Sequence, residues 1–179
     1  LSIGFIGAGN MGLPMIKNLI RAGFKIKVFD INTKITRKLE KDNIIAVNNI
    51  RAIANNNFII SMLPNTKDVE SIFNNENGIN QFLNPGTIVI DMSTISSTSS
   101  IEIGKKLQQR QIEFLDAPVS GGVKGAVDGN LSIMVGGKKE TYKKSLYVLN
   151  SMGESIIYAG KIGMGQVFKM CNQIMVGSH

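Results

Sequence analysis

The chain has 179 residues, 43% hydrophobic and 18% charged, with a formal net charge of +7. That is the length of one domain with a sizeable core. Its apolar content excludes a disordered chain, its single Cys171 excludes a disulfide scaffold, and no run approaches the ~18 unbroken apolar residues of a membrane span. Residues 2–6 read as a strand, and 11–22 as a helix on which Met11, Met15, Ile16, Leu19 and Ile20 share a face; Gly23 stops it. Residues 25–29 form a second strand and 33–41 a second helix. Strands at 44–47 and 58–63, a helix at 66–73, and a strand at 87–92 after the Pro85-Gly86 turn come next. A helix at 97–110, strands at 112–115 and 131–135, a helix at 140–152, a strand at 155–158 and a final helix over 165–176 complete the series. The Asn-rich positions 55–57, 74, 75 and 77 read as loops. Strand–helix alternation of this kind predicts an α/β fold with a doubly wound, mostly parallel sheet.

Gly7-Ala8-Gly9-Asn10-Met11-Gly12 fits GxGxxG where a predicted strand ends and a predicted helix begins. Each glycine has a reason there. Gly7 permits the tight turn, Gly9 lets a pyrophosphate approach the backbone, and Gly12 allows close helix–strand packing. The helix N-terminus offers unpaired N–H groups and the positive end of its dipole to phosphates. Asp30 closes the second strand about 20 residues further on, where a carboxylate accepts from both ribose hydroxyls of NAD and repels a 2′-phosphate. The expected cofactor is therefore NAD, with NADP disfavoured.

Three further segments follow predicted strands on the side where open α/β sheets bind ligands: Ser61-Met62-Leu63-Pro64, Asp91-Met92-Ser93-Thr94 and Asp116-Ala117-Pro118-Val119-Ser120-Gly121-Gly122. A fourth, GMGQVFKMCNQ from Gly163, opens the final helix. In this order, together with the glycine loop, they resemble the β-hydroxyacid dehydrogenase family over essentially the whole chain, nearest its 3-hydroxyisobutyrate branch and next its tartronate semialdehyde reductases. The resemblance implies a Rossmann-type domain over residues 1–162, with residues 163–179 beginning a long helix toward a helical second domain. The chain stops in an apolar helix, which fits that expectation.

The same resemblance implies residue roles. Lys169 matches the catalytic lysine, which exchanges the hydroxyl proton and polarises the carbonyl in the reverse direction. Ser120, Gly121 and Gly122 match the substrate-binding segment, and Asn172, one helical turn beyond Lys169, orients the substrate. Gln173 stands where 3-hydroxyisobutyrate dehydrogenases often carry Asn and tartronate semialdehyde reductases often carry Gln. Gly7, Gly9, Asn10, Met11, Gly12 and Asp30 hold the cofactor, with Leu63 and Pro64 along its adenosine or ribose, Asp68 close by, and Thr94 beside the nicotinamide ribose. Ser96 and Ser97 read instead as helix caps. Cys171 reads as packing, His179 takes no role, and no metal is implied.

The implied activity is NAD-dependent interconversion of a short 3-hydroxy acid and its semialdehyde. Tartronate semialdehyde reduction is the enzymatic alternative, and a dinucleotide-binding module without turnover is the alternative of another class. The scattered Lys and Arg residues do not alternate with aromatics, so they read as solvated surface and predict neither a nucleic-acid nor a membrane partner. The N-terminal LSIGFIG lacks the basic lead of a signal peptide. The expected setting is the cytoplasm, or the mitochondrial matrix for a eukaryotic source, and a homo-oligomer is expected for the full-length protein.

Overall fold

The computed structural model describes residues 1–39, 44–74 and 78–177. Among them, nine strands share one sheet: β1 (Ser2–Ile6), β2 (Lys25–Phe29), β3 (Ile45–Val47), β4 (Phe58–Ser61), β5 (Ile88–Asp91), β6 (Glu113–Asp116), β7 (Val119–Ser120), β8 (Leu131–Gly137) and β9 (Gly153–Gly160). The first six are parallel in the order β3-β2-β1-β4-β5-β6. Beyond β6 the chain reverses. β8 runs antiparallel to β6 (Leu115 opposite Gly137) and to β7 (Val119 opposite Ile133), and β9 returns parallel to β8. β6 and β7 are thus two stretches along one edge of β8, separated by Ala117 and by Pro118, which has no N–H to offer a ladder.

Among the described residues, seven α-helices cover the sheet: α1 (Gly12–Arg21), α2 (Thr33–Leu39), α3 (Thr66–Phe73), α4 (Ser97–Gln108), α5 (Gly122–Asp128), α6 (Lys139–Leu149) and α7 (Met164–Gly177). The central strands are buried on both faces, and alternate residues enter two cores. Ile3, Phe5, Phe58, Ile60 and Ile90 meet Met15, Ile16 and Leu19 of α1 and Val148 and Leu149 of α6. Ile6, Ile59, Val89 and Phe114 meet Val69 and Phe73 of α3 and Ile103 and Leu107 of α4. Burial on this scale contributes roughly 1.5–3 kcal/mol per large apolar side chain, the main force holding the helices to the sheet.

Two elements go beyond those expected, and one expected cap is corrected. Gly122–Asp128 forms helix α5, which packs on α1 and ends at Gly129 with φ +71°. Val119–Ser120 forms a short strand that sequence periodicity is too short to reveal. Ser96 caps α4 by accepting from Ser99 N–H at 3.0 Å, whereas Ser97 is the first helical residue. The last two residues of the expected helix over 33–41, the Asn positions 75 and 77 and His179 lie outside the described residues.

The site is set by the strand order. β1 lies between β2 and β4, so the connections leaving β1 and β4 diverge to opposite faces and open a crevice at the carboxyl end of the sheet.

Candidate functional site

The turn leaving β1 is dictated by close approaches. Gly7 has φ +94°, and its N–H donates to Phe29 O at 3.0 Å. A side chain on Gly7 would strike Met62 O, and one on Gly12 would strike Gly7 O, so the strand–turn–helix junction closes only with glycine at both ends. Gly9 differs: a Cβ there would meet nothing within 4 Å. Nothing in the fold requires glycine at 9, and the freedom it leaves faces the groove.

That groove, about 420 Å³, is lined by Gly7, Gly9, Asn10, Met11 and Gly12 on one side and by Asp30, Leu63, Pro64 and Asp68 on others. These nine are among the ten cofactor positions expected from the sequence; the tenth, Thr94, is exposed in the loop after β5 and does not line it. Met62, from the segment singled out after β4, also lines the groove, as do Ile31, Ser71 and Ile72, which the sequence did not single out. Ile31 carried a signal: it is a large apolar residue directly after Asp30, and it is 86% exposed. The N-terminus of α1 opens into the groove with no side-chain cap on Met11 and no acidic residue in its first turn. Leu13 N–H donates to Gly9 O at 3.0 Å, and the N–H groups before it are left to an anion.

Asp30 is tied to both sides of the crevice. One carboxylate oxygen accepts from Ala8 N–H at 2.8 Å and the other from Asn32 N–H at 2.8 Å. A carboxylate has about four lone-pair positions, so two acceptor positions remain for a diol at the rim. Asp68, by contrast, packs against its own helix cap: its N–H donates to Asn65 Oδ1 at 3.0 Å, and Asn65 Nδ2 donates back to its carboxylate at 2.9 Å. The residues present fit a dinucleotide: an open cradle at Gly9, a bare helix terminus, and a carboxylate with spare acceptors.

A second polar cluster lies under the ends of β5 and β6. Asp91 and Asp116 are register partners, and both are fully buried. Ser61 Oγ and Ser93 Oγ donate to Asp91 Oδ1 at 2.8 and 2.7 Å, and Ser93 Oγ in turn accepts Leu63 N–H at 2.9 Å. Asp116 receives Gly163 N–H on one oxygen at 2.7 Å and Gln166 N–H on the other at 3.0 Å, which anchors the start of α7. The anchor is tight, since a Cβ on Gly165 would come within 2.6 Å of Asp116 O. Burial pushes both carboxyls up to about 6, against the pull of these hydrogen bonds.

Lys169 follows Gln166 by one turn of α7 and is only 8% exposed. Burial lowers its pKa. Among the described residues no carboxylate pairs with it. Asn172 is half-buried, and its Nδ2 donates to Ser120 Oγ at 3.4 Å, so α7 meets the segment that begins α5. Gly121 (φ +127°) and Gly122 (φ +61°) hold the backbone conformation that turns β7 into α5. Gln173 is exposed. Among the described residues no three His, Cys, Asp or Glu side chains come together as a metal site, and no helix is long and apolar enough to cross a membrane.

The doubly wound sheet, the glycine turn against a bare helix terminus and the acid at the end of β2 define a Rossmann-type dinucleotide-binding domain. The chain belongs to the family of the NAD-binding domain of 6-phosphogluconate dehydrogenase, which matches residues 2–160. It is 39% identical to the NAD-dependent L-serine dehydrogenase of Pseudomonas aeruginosa, over 98% of this chain and 61% of that protein. It is 35% identical to mouse mitochondrial 3-hydroxyisobutyrate dehydrogenase, over 97% of this chain and 52% of that one. Among solved structures, the 3-hydroxyisobutyrate dehydrogenase of Mycobacterium tuberculosis with L-serine superposes with a TM-score of 0.92 at 35% identity, covering 98% of this chain and 60% of that one. The chain thus spans about half to three-fifths of the length of these relatives, and their names agree with the resemblance to β-hydroxyacid dehydrogenases carried by the motifs.

Proposed function

We propose that this chain is the cofactor-binding part of an NAD-dependent β-hydroxyacid dehydrogenase that interconverts a short 3-hydroxy acid and its semialdehyde. Residues 1–162 are the dinucleotide domain, and α7 belongs to the segment from 163 on that carries the proton-handling group. The observation that carries this reading is Lys169, a buried lysine with no carboxylate partner among the described residues, whose pKa burial lowers. A lysine so desolvated is costly as a structural feature and suited to accept a proton near neutral pH.

In this reading Gly7, Gly9, Asn10, Met11 and Gly12 cradle the pyrophosphate, and Asp30 accepts from the adenosine ribose. Leu63 and Pro64, with Asp68 near by, flank the adenosine half, and Thr94 lies beside the nicotinamide ribose. Bound there, NAD supplies the two-electron acceptor. Lys169 takes the hydroxyl proton as the alcohol is oxidised, and as an ammonium it polarises the carbonyl in reverse. Ser120 and the backbone N–H groups of Gly121 and Gly122 hold the substrate carboxylate, and Asn172 and Gln173 orient it. The carboxylate of Asp30 favours NAD over NADP.

We favour 3-hydroxyisobutyrate as the substrate. L-Serine, named for the Pseudomonas relative, is a close chemical variant in which an amino group replaces the methyl. Gln173 is the feature that favours tartronate semialdehyde as a second reading. The full-length protein is proposed to be a homo-oligomer in the cytoplasm. The test is NADH formation by the full-length protein on 3-hydroxyisobutyrate, L-serine, glycerate and 6-phosphogluconate. The expected order puts 3-hydroxyisobutyrate first, and preference for the sugar phosphate would contradict the assignment.

A further inference from the structure

Gln166 does more than fill space at the start of α7. Its side chain is 4% exposed, and it spans from α7 to the loop that leaves β5. Its Oε1 accepts Ile95 N–H at 3.1 Å, and its Nε2 donates to Ser93 O at 2.8 Å. Those two backbone atoms flank Thr94, so one amide fixes the peptide units on both sides of that residue. Ser93 is bound in turn: its hydroxyl donates to Asp91 and accepts Leu63 N–H from the wall of the dinucleotide groove. The backbone N–H of Gln166 is held by Asp116. Lys169 stands one helical turn further along the same face of α7.

Hydrogen bonds therefore link Leu63 in the groove to the Ser93 hydroxyl and the Ser93 carbonyl to Gln166, and the helix carries the connection to Lys169. An amide suits this junction because it meets an N–H and a carbonyl with one acceptor and one donor. Without the amide, a buried N–H and a buried carbonyl would both lose their partner.

We infer that Gln166 is a positioning residue: through its two bonds around Thr94 it sets Lys169 against the nicotinamide end of the cofactor. This rests on the proposed dehydrogenase site and deepens it. Loss of the amide leaves the glycine cradle and Asp30 untouched, so the adenosine half still binds. What is lost is the coupling between the bound cofactor and Lys169.

The test uses this chain carrying ¹³C-labelled lysine, with the Lys169 Cε resonance assigned by its disappearance in Lys169→Arg. NAD is titrated in, and affinity, thermal unfolding and the Lys169 shift are recorded together. In the unaltered chain saturating NAD moves the Lys169 resonance. In Gln166→Leu the Kd changes by no more than about threefold, while the Lys169 response falls below about half. A role confined to stability would lower the unfolding temperature and leave the response at saturation unchanged, which would overturn the inference. Gln166→Glu is read in parallel, because it keeps an acceptor for Ile95 N–H, sets an oxygen against Ser93 O and opens no cavity. It keeps the test decisive should the leucine variant fail to fold. Failure of the unaltered chain to bind NAD would overturn the cofactor reading beneath the inference. Binding with a Lys169 response that survives in both variants would overturn the inference alone.

Discussion

The carboxylate of Asp30 accepts the backbone N–H of Ala8 at 2.8 Å, so the acid at the end of β2 holds the turn that leaves β1. Asp30 therefore shapes the cradle as well as lining the groove. Replacing it with Ala removes the bonds from Ala8 and Asn32 and the acceptors for the diol. Asp30→Ala is expected to weaken NAD about 10- to 100-fold, a loss of roughly 1.4–2.8 kcal/mol. NADP, relieved of a like charge, loses less. Calorimetric titration of both dinucleotides measures the ratio, and equal losses for the two would contradict Asp30 as the selector.

Asp116 gives a prediction about the helix that carries Lys169. Its two oxygens satisfy N–H groups of Gly163 and Gln166 at the start of α7. Asp116→Ala strands two buried donors and is expected to destabilise the chain by about 2–4 kcal/mol. Asp116→Asn keeps one acceptor and costs about half of that. Urea unfolding of the two variants reads the difference; indistinguishable midpoints for Ala and Asn would show that the two bonds do not anchor the helix.

The parts of this account legible in the sequence are those that local rules determine. The turn Gly7–Gly12, the alternating apolar strands and the Ser96 cap follow from backbone sterics and periodicity within a few residues. Helix α5 does not. Gly122, Gly125 and the flanking Gly121 and Gly129 argue against a helix, and it exists because it packs on α1 and β8. The buried polar network was equally hidden. Asp91, Asp116 and Gln166 are polar letters at strand and helix ends, and apart from Ser93 beside Asp91 their side-chain partners lie 30 to 73 positions away in sequence. Ile31 was overlooked because a lone exposed isoleucine is ordinary; only its seat beside Asp30 gives it meaning.

The buried pair Asp91 and Asp116 predicts an unusual limb in the pH–stability profile. Burial raises each carboxyl from 3.8 to about 6. Between about pH 4 and 6 the folded chain holds protons that the unfolded chain has released, so these groups make stability fall as pH rises through that window. Asp91, whose Oδ2 has no hydrogen-bond partner among the described residues, is the cleaner probe. The stability of Asp91→Asn relative to the unaltered chain is expected to rise by about 1–3 kcal/mol from pH 4.5 to 7.5. Denaturation midpoints across that range measure it, and a difference that does not change with pH would show that Asp91 does not titrate there.

Lys169→Met separates chemistry from folding. A buried ammonium with no carboxylate partner among the described residues is replaced by a chain of similar length, so thermal stability should hold or rise. Turnover by the full-length enzyme should fall about 10²- to 10⁴-fold, the usual share of a positioned proton acceptor. In the unaltered enzyme, alcohol oxidation should increase with pH through a value below that of an ordinary lysine, and this limb should vanish in the variant. A variant that keeps both rate and limb would assign the proton to another group.

The central claim is that the groove at the end of β1 binds a dinucleotide, and Gly9 offers its most direct test. A Cβ at Gly9 meets nothing within 4 Å of the protein, so Gly9→Ala leaves the fold in place. The same methyl stands where the pyrophosphate must approach the backbone. Calorimetric titration of NAD into the unaltered chain and into Gly9→Ala should show binding in the first, an affinity at least about tenfold lower in the second, and matching unfolding temperatures. Equal affinity in the two, or no NAD binding by the unaltered chain, would contradict the claim.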